Sequence, residues 1–128
     1  MDPAANFAKS AVSQGYDASA TSIVLEAEDI NLSNWKDPAT YGAYNAVWWD
    51  ATNYGDPADD PNREVVRVTG KSGTTLTITR AQESTSATAK NTTGSTYKIA
   101  MVPTAKFRDD LVSAMVDAGS VYGWVTDD

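Results

Sequence analysis

The stretch 63–89, REVVRVTGKSGTTLTITRAQESTSATA, constrains the fold more than any other part of the chain. Val66 and Val68 alternate with Val65, Arg67 and Thr69, and Leu76 and Ile78 alternate with Thr75, Thr77 and Thr79. An apolar period of two belongs to strands with one buried face. Gly70-Lys71-Ser72-Gly73 reads as the reversal between them, its two glycines supplying positive φ while Lys71 and Ser72 keep the tip in water. The expected unit is a β-hairpin with an exit loop, and the remaining segments are expected to arrange themselves around it.

Upstream, Asn6 to Val12 reads as a first short strand with Phe7 as its bulky apolar residue, and Ser22 to Leu25 as a second that pairs with it. From Glu26 to Ala43 polar residues dominate, and Ile30, Leu32, Trp35 and Tyr41 are the large apolar anchors of a long loop. Such loops are often functional. The plainer reading has Leu32 and Trp35 pinning it to the barrel wall. Tyr44 to Asp50 is the most hydrophobic strand; neighbouring tryptophans on a strand face opposite ways, so Trp48 and Trp49 need two different surfaces. Asn53 to Asn62 is an acidic turn region, and Thr96 to Val102 a last strand with Tyr97, Ile99 and Met101 on one face. Six strands in this order suit a small antiparallel barrel or sandwich over residues 1–102.

After Pro103 the period changes. Phe107, Leu111 and Met115, with Val112 and Val116, fall four apart and predict a C-terminal α-helix over about 105–118. Thr104 would cap its start and Gly119 its end. Residues 103–128 are therefore read as a helix and docking tail of the same domain. The tail around Trp124 is too apolar to stay free.

At 128 residues the chain can bury one core. It has no cysteine and no histidine, which removes disulfides, thiolate metal sites and the commonest general base and pH switch. A net charge of −7 argues against nucleic acid as a partner, because phosphate binding needs clustered cations. No apolar run is long enough to span a bilayer, and the first residues lack the pattern of a signal peptide, so synthesis in the cytoplasm is expected.

Carboxylates are the plentiful reactive groups. Asp56, Asp59 and Asp60 lack the ligand spacing of a calcium loop and read as a solvated acidic loop. Asp109 and Asp110 complement the dipole of the predicted helix. Glu26, Glu28 and Asp29 could supply a glycosidase-type carboxylate pair, but their spacing does not define one. No phosphate loop or nucleophile elbow is present, and no enzymatic activity, metal or cofactor is expected. The remaining candidates for contact are aromatic and apolar side chains: Trp35, Tyr44, Trp48, Trp49, Tyr54, Phe107, Leu111, Met115 and Trp124. Tyr41, Tyr44, Trp48, Trp49 and Tyr54 lie close together among Asn and Asp, a mixture suited to a core, to a subunit interface or to stacking on sugars.

The run from Glu64 to Ala87 resembles a segment of phage tail and tail-fibre proteins, a hairpin of the form EVVRVT..SG..LTVTR followed by an AQEGT.A loop. Glu64 to Thr69, Ser72-Gly73, Leu76 to Arg80, Ala81-Gln82-Glu83, Thr85 and Ala87 carry the likeness. Asn6 to Ser10 and Ala43 to Asp50 resemble the family's opening and middle strands, so the likeness covers most of 6–102. Ser84 stands where that family usually has Gly, and Lys90 where His is common. A positive φ at residue 84 would place Ser84 under strain. The resemblance implies a non-enzymatic virion structural protein, a tail-fibre base, attachment or adaptor component made in the host cytoplasm and located in the tail. It implies other tail proteins as partners and a homo-oligomer, a trimer being the expected symmetry. A receptor- or carbohydrate-binding module for a host-surface glycan, or a capsid decoration or head-fibre protein, are the alternatives.

Overall fold

The computed structural model describes residues 2–5, 7–28, 31–90, 94–101, 112 and 115. The chain is mainly β: six antiparallel strands form a half-barrel. They are β1 (Lys9–Ala11), β2 (Ser22–Val24), β3 (Tyr44–Asp50), β4 (Glu64–Ser72), β5 (Thr75–Gln82) and β6 (Tyr97–Ala100), in sheet order β1-β6-β3-β4-β5-β2. The outer strands β1 and β2 touch just beyond their ends. Val12 bridges Leu25, Ser13 N donates to Val24 O (2.9 Å) and Glu26 N to Ala11 O (2.8 Å).

The expected alternation holds on β4 and β5. Glu64, Val66 and Val68 point inward with Leu76 and Ile78, and all five are buried. Strand β3 runs between β4 and β6, with Tyr44 opposite Val68, Trp48 opposite Glu64 and Trp48 again opposite Ile99. Every residue of β3 is buried. Its inner side chains, Tyr44, Ala46 and Trp48, join Ile23, Leu25, Val66, Val68, Leu76, Ile78 and Ile99 in the main core. Its outer ones build a second cluster of Val47, Trp49 and Ala100, flanked by Ala51, Tyr54 and Val65. The adjacent tryptophans thus take the two surfaces that the pleat requires.

The loop after β2 is anchored as the plainer sequence reading has it. Leu32–Asn34 forms a 3-10 turn, and α1 (Pro38–Tyr41) is a single helical turn. Asp37 caps α1 by accepting from Ala39 N (2.9 Å), Pro38 supplies a preset φ at the start, and Gly42 ends it at φ 91°. Trp35 enters the core, stacks on Tyr44 at 6.3 Å and donates its indole N–H to Ser10 Oγ (2.9 Å). Tyr44 Oη donates to Lys36 O (2.7 Å).

Three expectations change. The first strand is only Lys9–Ala11; Phe7 lies in a turn at φ 59° and is 80% exposed. The first and second strands meet only at one bridge, Val12 to Leu25, while over the rest of their length β1 pairs with β6 and β2 with β5. The hairpin turn is also tighter than four residues. Ser72 pairs with Thr75, leaving Gly73-Thr74 as a two-residue reversal with Gly73 at φ 60°. Gly70 instead lies at an irregularity of β4, where a Cβ would press on the Thr77 side chain at 3.3 Å. Within the C-terminal segment Val112 and Met115 are helical, and both are exposed. Phe107, Leu111, Trp124 and the 102/103 boundary lie outside the described residues. No helix among the described residues is long and apolar enough to cross a membrane.

Candidate functional site

The residues that carry the sequence motif converge on one buried carboxylate. Strand alternation places Glu64 on the inner face beside Val66, and it is completely buried. An ionised carboxylate there needs donors from every side. Arg80, at the end of the paired strand, supplies two, Nε to Oε2 at 2.7 Å and Nη2 to Oε1 at 2.9 Å. Ala81 N reaches Oε2 at 3.0 Å, Thr88 N reaches Oε1 at 3.3 Å, and Lys90 Nζ reaches Oε1 at 2.9 Å. Burial alone would raise the Glu64 pKa, but the hydrogen bonds from Arg80, Lys90 and Ala81 outweigh it and hold the carboxyl at about 2. Burial presses the Lys90 ammonium below the usual lysine range, against the pull of Glu64.

The same group shapes the exit loop. Arg80 Nη1 donates to the carbonyls of Asp17 and Ala20, and Nη2 to Thr88 O, tying the hairpin end to the β1–β2 connection. Lys90 Nζ also donates to Thr88 O and Oγ1. The indole of Trp48 lies against both cations, 5.0 Å from the guanidinium carbon of Arg80 and 5.3 Å from Lys90 Nζ. Its own N–H is buried and has no acceptor among the described residues. Ala81, Glu83 and Ser84 all adopt positive φ, 57°, 51° and 65°. Thr85 locks the reversal: its Oγ1 accepts from Val65 N (3.0 Å) and donates to Gln82 O (2.7 Å). On the outer face, Glu83 Oε2 accepts from Asn45 Nδ2, Asn45 Oδ1 accepts from Arg67 Nη1, and Arg67 pairs with Asp2 at 3.0 Å.

No protein-family model matches the chain, and no curated protein matches it. The functional reading therefore rests on the residues themselves.

Of the contact candidates, Trp35, Tyr44 and Trp48 belong to the main core and present no ring face for stacking by a ligand. Burial, and then the charge of Asp37, push the Tyr44 phenol far above the usual tyrosine range. Trp49 is 5% exposed and donates its indole N–H to Tyr54 O (3.0 Å), with Tyr54 partly buried beside it. Met115 is 46% exposed. The acidic loop is less solvated than its composition suggests. Asp60 is buried and accepts from Asp50 N (2.8 Å) and Asn62 N (2.8 Å), while Asp56 caps the 3-10 turn Pro57–Asp59. Among the described residues no group of three acidic side chains is arranged to hold a metal ion.

Among the described residues, two concavities bear on the site. One, of about 590 Å³, lies between Ala4-Ala5 and the segment from Ser33 to Tyr41. The other, of about 360 Å³, lies between Pro61-Asn62-Arg63 and the exit loop at Ser84, Thr85, Ser86 and Thr88. Tyr41, at the end of α1, is 56% exposed, and Lys36 Nζ sits 4.6 Å from its ring centroid.

Proposed function

We propose that this chain is a non-enzymatic structural component of a phage tail, a fibre-base, attachment or adaptor domain that works by assembling with copies of itself and with other virion proteins. The observation that carries the reading is where the tail-like motif lies in the fold. Glu64, Arg80, Ala81, Gln82 and Thr85 interlock around a single buried carboxylate, so the resemblance rests on residues that jointly specify one loop architecture. A match among unconnected surface residues would carry much less weight. The same group argues against catalysis by its most perturbed carboxyl: held at about 2 and enclosed by five donors, Glu64 is a poor proton donor or acceptor near neutral pH.

Both tryptophans of β3 are covered within the chain, so the proposed contact between subunits moves from Trp48 and Trp49 to the exposed helical residues Val112 and Met115. Light scattering over a dilution series tests the assembly. The expected result is a stable trimer or larger ring that falls to a monomer when Val112 and Met115 are both changed to Asp. A monomer at every concentration, or an assembly unaffected by the double change, would count against self-association through this helix.

A further inference from the structure

We propose that the groove between Ala4-Ala5 and Ser33–Tyr41 is a binding site for a neutral saccharide. It stands apart from the assembly reading, because none of its residues is used there. At about 590 Å³ it falls within the range of roughly 300–1,000 Å³ usual for small-molecule sites. Its wall carries an aromatic ring that the fold leaves open. Trp35 and Tyr44 are buried and share one stack, but Tyr41 projects from the end of α1 with more than half its surface in water. Lys36 Nζ stands over that ring at 4.6 Å, and a ring has two faces, so a cation on one leaves the other to stack on the C–H face of a sugar.

The polar groups beside the ring have unused capacity. Asp37 spends Oδ1 on the N–H of Ala39, and its other carboxylate oxygen has no partner among the described residues. Asn34 donates Nδ2 to Phe7 O at 3.3 Å, and among the described residues its side-chain carbonyl oxygen remains to accept. Ser33 Oγ adds an exposed group that both donates and accepts. A groove lined by an aromatic ring, a carboxylate, an amide and a hydroxyl matches a pyranose, which offers an apolar face and a rim of paired hydroxyls. Lys36 and Asp37 balance each other in charge, so the groove has no net charge with which to select an anionic sugar. Trp35 supports the site from beneath through its fixed hydrogen bond to Ser10.

Amide chemical shifts of the 15N-labelled chain, titrated with neutral disaccharides of glucose, galactose and N-acetylglucosamine, test the site. The expected result is saturable movement of the amides of Asn34, Lys36 and Tyr41 with at least one disaccharide, at millimolar affinity. Tyr41→Ala, at an exposed position, is expected to weaken that binding by about tenfold or more. Asp37→Asn keeps a side chain that can cap α1 and removes the anionic acceptor, and it is expected to weaken binding several-fold with an otherwise unchanged spectrum. Absence of saturable movement at these amides with every sugar overturns the proposal, as does undiminished affinity in both variants. Tighter saturation by a sialylated oligosaccharide overturns the assignment to neutral sugars.

Discussion

Replacing Glu64 with Gln keeps the length of the side chain and removes the charge on which the hairpin's exit loop converges. In the native protein that carboxylate is fully buried and accepts five hydrogen bonds, from Arg80 twice, Ala81, Thr88 and Lys90. Glutamine can still accept through its carbonyl oxygen, but its amide turns two donor hydrogens toward groups that are themselves donors. The Lys90 ammonium, also fully buried, is left facing a neutral partner. Removing one member of a buried ion pair costs about 3–5 kcal/mol, a large part of the roughly 5–15 kcal/mol that stabilises a domain. Urea unfolding followed by tryptophan fluorescence measures it, and at an m-value of about 2 kcal/mol/M the midpoint is expected to fall by about 2 M. Adding Lys90→Met removes the stranded cation and should recover part of the loss. A change below about 1 kcal/mol in Glu64→Gln, the level of an exposed ion pair, would refute the reasoning and mean that water reaches and screens the group.

Acid provides a second test of the same carboxylate. The Glu64 pKa falls from an ordinary 4.5 unfolded to about 2 folded, so its contribution of about 3 kcal/mol is complete above pH 4.5 and is lost as pH falls toward 2; a pH series of urea midpoints should show this loss in the native chain and a flatter profile in Glu64→Gln. Ser84→Gly should raise the melting temperature by a few degrees, because φ 65° costs a residue with a Cβ about 1–2 kcal/mol and glycine gives back only part of that through unfolded-chain entropy. Thr85→Val should cost about 1–3 kcal/mol in the same urea assay, since it strands Val65 N and removes the donor to Gln82 O.

Patterns that depend on local periodicity were legible in the sequence. Alternation alone assigns the inward faces of β4 and β5, and the Trp48-Trp49 pair requires two surfaces before any fold is known. Phe7 departs from the pattern: a lone aromatic reads as a strand's buried residue, whereas its positive φ places it in a turn and in water. Gly70 misled because glycine serves both a turn and a strand irregularity, and only the pairing of Ser72 with Thr75 separates the two. The ion group was partly readable. Glu64 shares its parity with Val66 and Val68, so it had to be buried and to find cations. Which cations is a long-range question, since Arg80 and Lys90 arrive through the hairpin and its exit loop. The groove was the least legible part: sequence gives Trp35 and Tyr41 alike as anchors of one loop, and only packing decides that Trp35 enters the core while Tyr41 stays outside.

The pairing of β1 with β6 also determines how the protein responds to tension. Lys9 lies opposite Ala100 and Ala11 opposite Lys98, so the chain enters β1 and leaves β6 at the same end of that ladder. A force drawing these two points apart loads the bonds of the ladder one after another and peels it open like a zip. The same number of bonds loaded together in shear would resist far more. Strand β4, which carries Glu64, lies two strands from β6, so the β1–β6 ladder would be loaded first, and the bonds from Arg80 to Asp17 and Ala20 would pass the load to the Glu64 group once β1 has released.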